Sequence, residues 1–480
     1  MKIGFVSLGC PKNLVDTEVM MGQLTARGHE LTPKPEDADV IVVNTCSFID
    51  PAKQESVDTI IEMGKYKESG KAQRLVVAGC LVERYRGDIR KDLPEVDAIV
   101  GTNEIERIVD ACEGAGGEAH SSPAAAAAPY LYHDLTARVF TTPRHFAYLK
   151  IAEGCDHPCT FCVIPQYRGA FRSRRFESVV VEANRMVQQG VREINLIGQD
   201  TTCYGEDLGI KDGLASLLAR LARLEDAPAP YWIRFLYAYP NRITQKLLDT
   251  IAEYPALVKY IDMPLQHASG PVLKRMKRGS NGELFLRILE RIRRTIPGVA
   301  IRSSFIVGFP GETRQDFDYL CDFVKEARFD RLGVFTYSDE DTSKSFALDA
   351  KVDGRTIQNR KRSLMAVQRK VSRSMNKELI GREFPILVEG PSRETDLLWE
   401  GRLSTQAPDI DGVCYINDDG GEPIRLGELR RVRITETHDY DLVGEIIDAP
   451  ESNYREPARP AFPILHEHNS LAISRGESSR

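Results

Sequence analysis

The sequence predicts an α/β protein in three folded parts: an N-terminal parallel-sheet α/β domain, a central full or partial β/α barrel and a small C-terminal all-β barrel. Three observations carry this. Val/Ile-rich runs of strand length alternate with helical spacing twice over, before and after a break at 114–140. Beyond residue 378 the pattern changes to short strands between Gly, Pro and Asp turns. The 480 residues, 42% hydrophobic and 28% charged, leave room for about three domains and exclude a wholly disordered or fibrous chain.

In the N-terminal part, 1–113, KIGFVSL (2–8), DVIVVN (39–44), RLVVAG (74–79) and DAIVG (97–101) read as strands buried on both faces. LVDTEVMMGQLTARG (14–28) has helical spacing and stops at Gly28, and PAKQESVDTIIEMG (51–64) is a helix with Pro51 in its first turn. Residues 114–140, with GAGGEAHSSPAAAAAP, are biased in composition and read as a flexible linker without a core. In 141–377, AYLKIA (147–152), EINLIG (193–198), YWIRFLYA (231–238), VKYIDM (258–263), VAIRSSFIVG (299–308) and RLGVFTY (331–337) are strand-like. Helices such as ESVVVEANRMVQQG (177–190) and GELFLRILERIRRT (282–295) fall between them, which predicts a barrel. A long helix over 354–377 closes this part, with an apolar face of Ile357, Leu364, Val367, Val371 and Met375, eight Lys/Arg and no Asp/Glu. Residues 378–448, with FPILVEG, VCYIND and LRRVRITE, read as the small all-β barrel, and 449–480 as a mostly disordered tail.

No window of 18 uncharged apolar residues exists, so no membrane span is expected. The apolar part of MKIGFVSLGC is too short for a signal peptide or a lipoprotein leader, which predicts a cytoplasmic protein. A net charge of −6 does not suggest wholesale nucleic-acid binding. Ten cysteines in such a chain need a reason other than disulfides: metal ligation, catalysis or plain burial.

Cys155, Cys159 and Cys162 stand in EGCDHPCTFCVIPQYRG with spacing C-x3-C-x2-C, just after the first barrel strand, where active sites of such barrels collect. Three thiolates on one short loop can hold three irons of a four-iron cluster and leave the fourth open, as a catalytic site requires. Structural zinc would want a fourth ligand, and His157, awkwardly placed inside the loop, is the nearby candidate; simple burial of the thiols is the other alternative.

Cys10, Cys46 and Cys80 are 36 and 34 residues apart, and no short motif connects them. Each follows a strand of what reads as one parallel sheet, so all three emerge along the edge where open α/β sheets bind ligands. Gly9 and Gly79 precede two of them and allow close backbone approach. One strand-end cysteine is ordinarily a small buried hydrophobe; three at equivalent positions read better as a second three-ligand iron–sulfur site.

The spacing and place of Cys155, Cys159 and Cys162 resemble the radical S-adenosylmethionine superfamily, and NLIGQDTT (195–202) and SSFIVGFPGET (303–313) look like its cofactor-lining elements. The resemblance implies cofactor-binding roles for Gln199, Asp200, Gly308 and Glu312, with loop capping the plain alternative for Gln199, Asp200 and Glu312. Two three-cysteine sets followed by a small β-barrel resemble the methylthiotransferase family, which joins an N-terminal cluster domain, a radical S-adenosylmethionine barrel and a C-terminal TRAM domain. SLGCPKNLVDTE (7–18), YLKIAEGCDHPCTFCVIPQYRGAFRSR (148–174), NLIGQDTTCYG, MPLQHASGPVLKRMKRG (263–279) and FTYSDEDTSKSF (335–346) resemble the branch that acts on small-subunit ribosomal protein S-twelve. The tRNA-modifying members carry different residues around the first cysteine.

The resemblance implies a transferase with two 4Fe-4S clusters and S-adenosyl-L-methionine as radical source and methyl donor, served by an electron donor such as flavodoxin or ferredoxin. It would attach a methylthio group to the β-carbon of an aspartate. Cys155, Cys159 and Cys162 would hold the cluster that cleaves the cofactor to a 5′-deoxyadenosyl radical, and Cys10, Cys46 and Cys80 the cluster that presents sulfur. Two other readings stay open, a tRNA adenosine methylthiotransferase and a non-catalytic iron–sulfur ribosome-binding factor.

Charge separates protein from RNA substrates. Residues 378–448 hold 7 Lys/Arg and 17 Asp/Glu, a net −10, which would repel RNA and suit a basic protein; ordinary solubilising charge is the alternative. The basic helix 354–377 is either a solvated face or a contact for ribosomal RNA phosphates. Arg168, Arg172, Arg174 and Arg175 are candidates for binding the cofactor carboxylate or an acidic substrate group. Cys112, Cys321 and Cys414 read as core residues and Cys203 as structural.

Overall fold

The computed structural model describes residues 1–114, 130–225, 227–395, 397–452, 454 and 462–465. The first sheet is parallel throughout, in the order β2-β1-β3-β4-β5, from β1 Lys2–Ser7, β2 Glu30–Leu31, β3 Val40–Thr45, β4 Arg74–Gly79 and β5 Ala98–Val100. Ser7 pairs with Asn44 and Thr45 with Gly79, so this register brings Gly9, Cys46 and Cys80 level at the C-terminal edge. Helix Pro11–Ala26 follows β1 directly and buries Asp16, Thr17 and Glu18 along with Val15 and Val19. Its polar residues are buried because barrel residues supply their partners: Arg138 and Thr141 bind Glu18, and Lys150 and Arg168 bind Asp16.

The central part has six parallel strands in two runs: β6 Phe146–Lys150, β9 Glu193–Ile197 and β10 Trp232–Phe235, then β11 Tyr260–Asp262, β12 Ala300–Val307 and β13 Arg331–Thr336. The runs meet where Ile233 exchanges hydrogen bonds with Ala256 and Val258. No ladder joins β6 to β13 among the described residues, so the barrel is partial. The antiparallel ribbon of β7 Ala152–Glu153 and β8 Arg172–Ser173 closes the base of the loop that carries Cys155, Cys159 and Cys162.

The C-terminal barrel is closed, in the order β14-β15-β16-β18-β17, from β14 Glu383–Pro391, β15 Trp399–Leu403, β16 Cys414–Asp418, β17 Leu429–Thr437 and β18 Leu442–Ile446. Its loop at 406–411 seals the N-terminal end of the central barrel. There Arg234 donates to the Gln406 carbonyl at 2.9 Å, Tyr148 to Asp409 at 3.0 Å and Tyr260 to Asp411 at 2.8 Å. The opposite end, where the cysteine loop lies, is left for the site.

Four expectations are corrected. The stretch read as a linker packs where it is described: Tyr132 is buried, and Arg138 joins Glu18 of the first domain to Glu182 of the barrel; 115–129 lie outside the described residues. The long helix spans Gly354–Lys377, but the residues it buries are Arg360, Leu364, Gln368, Ser372 and Asn376. It docks through Leu364 and through side-chain bonds to backbone carbonyls, Gln368 to Phe329 and Asn376 to His438, while Ile357, Val367, Val371 and Met375 are half-buried beside that line. The stretch read as a tail is held at the points described, where Glu451 pairs with buried Arg192 and Leu465 donates to the Phe5 carbonyl at 2.7 Å; 453, 455–461 and 466–480 lie outside the described residues. Finally, much of the acidity of 378–448 is neutralised internally. Glu389 binds Arg402 and His145, Asp411 lies 3.8 Å from Arg302, and Glu428 lies beside Arg430. The exposed acids are fewer, with Asp418, Asp419 and Glu422 together on one loop.

Candidate functional site

Cys10 is the N-cap of helix Pro11–Ala26, Cys46 follows β3 and Cys80 is the first residue of helix Cys80–Asp92. The three thiols lie within electrostatic reach of one another: burial pushes the Cys46 thiol up first, and Cys80 and Cys10 add to it. Glycine is required beside them. Gly9 has φ +88°, and a Cβ there would sit 2.7 Å from the Cys46 Cβ; Gly79 has φ +95° and would meet Asn44 at 2.3 Å. A hydrogen-bonded collar fixes the strand ends. Asn13 donates to the Leu8 and Thr45 carbonyls, Asn44 to the Asn13 carbonyl, and Ser47 to the Cys80 carbonyl.

Cys155, Cys159 and Cys162 lie on the loop that starts at Gly154, whose φ is +82° and where a Cβ would meet the Ala170 carbonyl at 2.1 Å. Cys155 N–H donates to the Gly169 carbonyl at 3.2 Å, which folds the loop back on itself. Burial pushes the Cys155 thiol up to about 11 and Cys162 up to about 12, each also raised by its neighbouring thiols. Such thiols become thiolates only against a strong positive partner, which is the donor chemistry of an iron–sulfur cluster. Both trios therefore offer the donor set of a cluster: three thiols within electrostatic reach of one another beside a glycine where a Cβ would not fit.

His157 does not complete a zinc site with the trio. Its Nε2 lies 2.5 Å from Asp200, and its ring stacks on Tyr239 at 3.8 Å. Cys203 donates to the same Asp200 at 3.0 Å, so His157, Asp200 and Cys203 form their own cluster beside the loop. Asp200 also caps the turn at Thr202. Gln199 donates to Glu153 at 2.5 Å and leaves a buried Oε1 without a partner. Glu312 accepts from the Gly308 and Phe309 N–H groups and lies 3.1 Å from Arg360; burial nevertheless pushes its carboxyl up to about 7. Gly308 and Glu312 thus hold one another in a turn. Cys112 and Cys414 are buried in the core and Cys321 is half-buried.

The arginine cluster is reassigned. Arg168 is buried and faces the first trio, 3.5 Å from the Cys80 sulfur and about equally close to Asp16 at 3.0 Å and Glu153 at 3.1 Å. Lys150 binds the same Asp16 and Glu153, and Glu153 binds Gln199, so one neutral buried network runs from the Cys80 side to the barrel loop. Burial alone would raise the Glu153 carboxyl, but Arg168 and Lys150 outweigh it and hold it well below the usual range. Arg174 pairs with Glu182 and is spoken for, Arg172 donates to the Ala170 carbonyl, and Arg175 stands at the N-cap position of helix Phe176–Gln188 with its side chain exposed.

Sequence reasoning missed the residues between the trios. Tyr237 and Tyr239 follow β10 two residues apart. Tyr237 lies under the Lys12 ammonium, 3.3 Å from ring centre to Nζ, and within the field of Cys10. Tyr239 stacks on His157, is covered by Arg278 at 4.2 Å and feels Cys159 and Cys155. One tripeptide thus reaches both trios. The available signal was polar: Lys12, Asn13 and Asp16 fall in the first turns of a helix that must be buried on two sides.

The partial barrel with its three-cysteine loop places the chain among the radical S-adenosylmethionine enzymes, with a further α/β domain in front of that barrel. Three family descriptions match in the same order: Uncharacterized protein family UPF0004 at 2–101, the Radical SAM superfamily at 149–324 and the TRAM domain at 380–447. The chain belongs to the family of the ribosomal protein uS12 methylthiotransferases, RimO. It is 71% identical to that protein of Solibacter usitatus, over 98% of this chain and 99% of the relative, and 57% identical to that of Koribacter versatilis, over 93% and 96%. The relative from Geobacter sulfurreducens is 47% identical over 93% and 98%. Among solved structures, the radical S-adenosylmethionine methyltransferase TsrM from Kitasatospora setae shares the fold, with TM-score 0.50 and 15% identity over 70% of this chain and 72% of that one. No helix of the described residues is long and apolar enough to cross a membrane.

Proposed function

We propose that this chain attaches a methylthio group to the β-carbon of an aspartate in ribosomal protein uS12. In this reading Cys155, Cys159 and Cys162 hold one 4Fe-4S cluster and Cys10, Cys46 and Cys80 the other, in the cytoplasm, with flavodoxin or ferredoxin as electron donor. The clusters and S-adenosyl-L-methionine supply, when bound, one-electron chemistry together with the sulfur and methyl group to be transferred. The observation that carries the reading is the juxtaposition of two three-thiol sets across the Tyr237–Tyr239 tripeptide, with Arg168 spanning from Cys80 to Glu153.

The chain's own residues then do three things. The Lys150–Asp16–Arg168–Glu153 network fixes the distance between the trios and is charge-balanced, so it tolerates burial. Gln199 offers its unpartnered Oε1 to a cofactor donor at the barrel rim, beside Asp200; Gly308 and Glu312 keep the facing turn in shape. The loop at 406–411 closes the far end of the barrel and keeps water from entering behind the reacting groups. Mass spectrometry of uS12 after incubation with the anaerobically reconstituted enzyme, S-adenosyl-L-methionine and a reductant tests this. The expected result is one methylthio group in place of one hydrogen on one aspartate. Unchanged uS12 alongside methylthiolated tRNA would overturn it.

A further inference from the structure

We propose that Lys12 recognises the carboxylate of the acceptor side chain, an inference that rests on the function proposed above. Lys12 is the second residue of helix Pro11–Ala26, two past Cys10. A cation near a helix N-terminus opposes the macrodipole, so this position does not favour the helix. The residue is 8% exposed, and its ammonium forms no ion pair with any described residue. By contrast, Lys150, Arg168 and Arg174 nearby each face a carboxylate. Among the described residues the ammonium lies against Tyr237, 3.3 Å from its ring centre and in hydrogen-bond contact with that side chain. A ring face takes part of the charge and the Tyr237 hydroxyl offers a hydrogen bond, but neither supplies the negative charge that balances an ammonium.

The shelf beneath Lys12 is built. Tyr237 holds φ +64°, a left-handed conformation costly for a side chain with a Cβ, and its N–H is tied to Asp262 at 3.0 Å. The strained residue fixes the ring, and the ring fixes the ammonium on the Cys10 side of the space between the trios. The missing partner is an anion that arrives with the substrate. A carboxylate gripped there places the carbon bonded to it beside the sulfur-bearing trio, and an uncharged amide in its place leaves the ammonium unbalanced. Lys12 is thus a specificity residue that separates aspartate from asparagine.

The test measures binding of uS12 to the reconstituted holoenzyme with S-adenosyl-L-methionine and no reductant, so that no turnover occurs. The acceptor aspartate, located by the mass spectrometry above, is compared with asparagine at the same position. Wild type should bind the aspartate form about ten- to a hundredfold more tightly than the asparagine form. Lys12→Met should bind both forms alike, at the asparagine level, with iron held at about eight per chain; Lys12→Arg should recover part of the preference. The proposal is overturned if Lys12→Met keeps the wild-type preference. It is overturned equally if that variant loses affinity for S-adenosyl-L-methionine alone, which would assign the ammonium to the cofactor carboxylate, or if its iron falls to about four, which would assign it to the cluster. A wild-type enzyme that modifies no uS12 brings down the proposed function and this inference with it.

Discussion

The two cysteine trios are held by opposite means. Cys155, Cys159 and Cys162 come from eight residues of one loop, pinned at its base by β7 and β8. Cys10, Cys46 and Cys80 come from three strand ends and are aligned by the register of β1, β3 and β4. The first arrangement is a local property that survives changes elsewhere in the chain. The second is a property of the sheet: a one-residue slip of β3 would turn Cys46 to the opposite face. The trio built from distant segments is therefore the more fragile of the two, and it is the one wrapped in the tighter hydrogen-bonded collar.

This difference can be broken at either end. The largest effect is expected for Cys155→Ala, which should abolish 5′-deoxyadenosine formation, read by chromatography, and halve the iron from about eight to about four per chain. Replacing Cys10, Cys46 and Cys80 together by Ala should also leave about four irons, yet 5′-deoxyadenosine should still form while the methylthio product disappears. Arg168→Met should cost about 3–5 kcal/mol in denaturant unfolding, because Asp16 and Glu153 keep their burial and lose a cation. Since Arg168 lies 3.5 Å from the Cys80 sulfur, iron should fall at the strand-end trio.

Two glycine variants sharpen the contrast without touching a thiol. Gly9→Ala should cost about 1–3 kcal/mol and empty only the strand-end trio, because the new Cβ meets Cys46; Gly154→Ala should empty only the loop trio, because it meets Ala170. Iron analysis with electron paramagnetic resonance distinguishes them. The smallest effect concerns Glu312, whose carboxyl is raised from the usual 4.5 to about 7. Between those values the folded chain holds a proton that the unfolded chain has lost, so this group makes stability fall as pH rises, by up to about 1.4 kcal/mol per pH unit. Glu312→Gln should flatten that slope in unfolding measured from pH 4.5 to 7.

The strands were legible because burial on both faces writes itself as uninterrupted Val and Ile; Arg74–Gly79 and helix Gly282–Thr295 fall where the pattern places them. The loop trio was legible from spacing, and the strand-end trio from the position of each cysteine after a strand. What the pattern hides is polar burial. Arg168 reads as one of four candidate anion-binding arginines, and Gln368 and Asn376 fall outside the apolar face read for their helix, until partners distant in the chain supply the acceptors. The 130–140 segment was misread for the same reason: its anchor is Arg138, whose partners lie 120 and 44 residues away. The strained turn at Tyr237 leaves no mark in composition at all.

β2 contributes only Glu30 and Leu31 to the edge of the first sheet, so the flank of β1 at Phe5 lies beyond its reach. Leu465 covers that flank, its N–H on the Phe5 carbonyl and its side chain against Gly4. A strand near the start of this sequence is thus finished by a residue 460 positions further on. While the chain is being made, a bare strand edge waits through more than four hundred codons, and a fusion or cut near the C-terminus reaches back to the very sheet that carries Cys10.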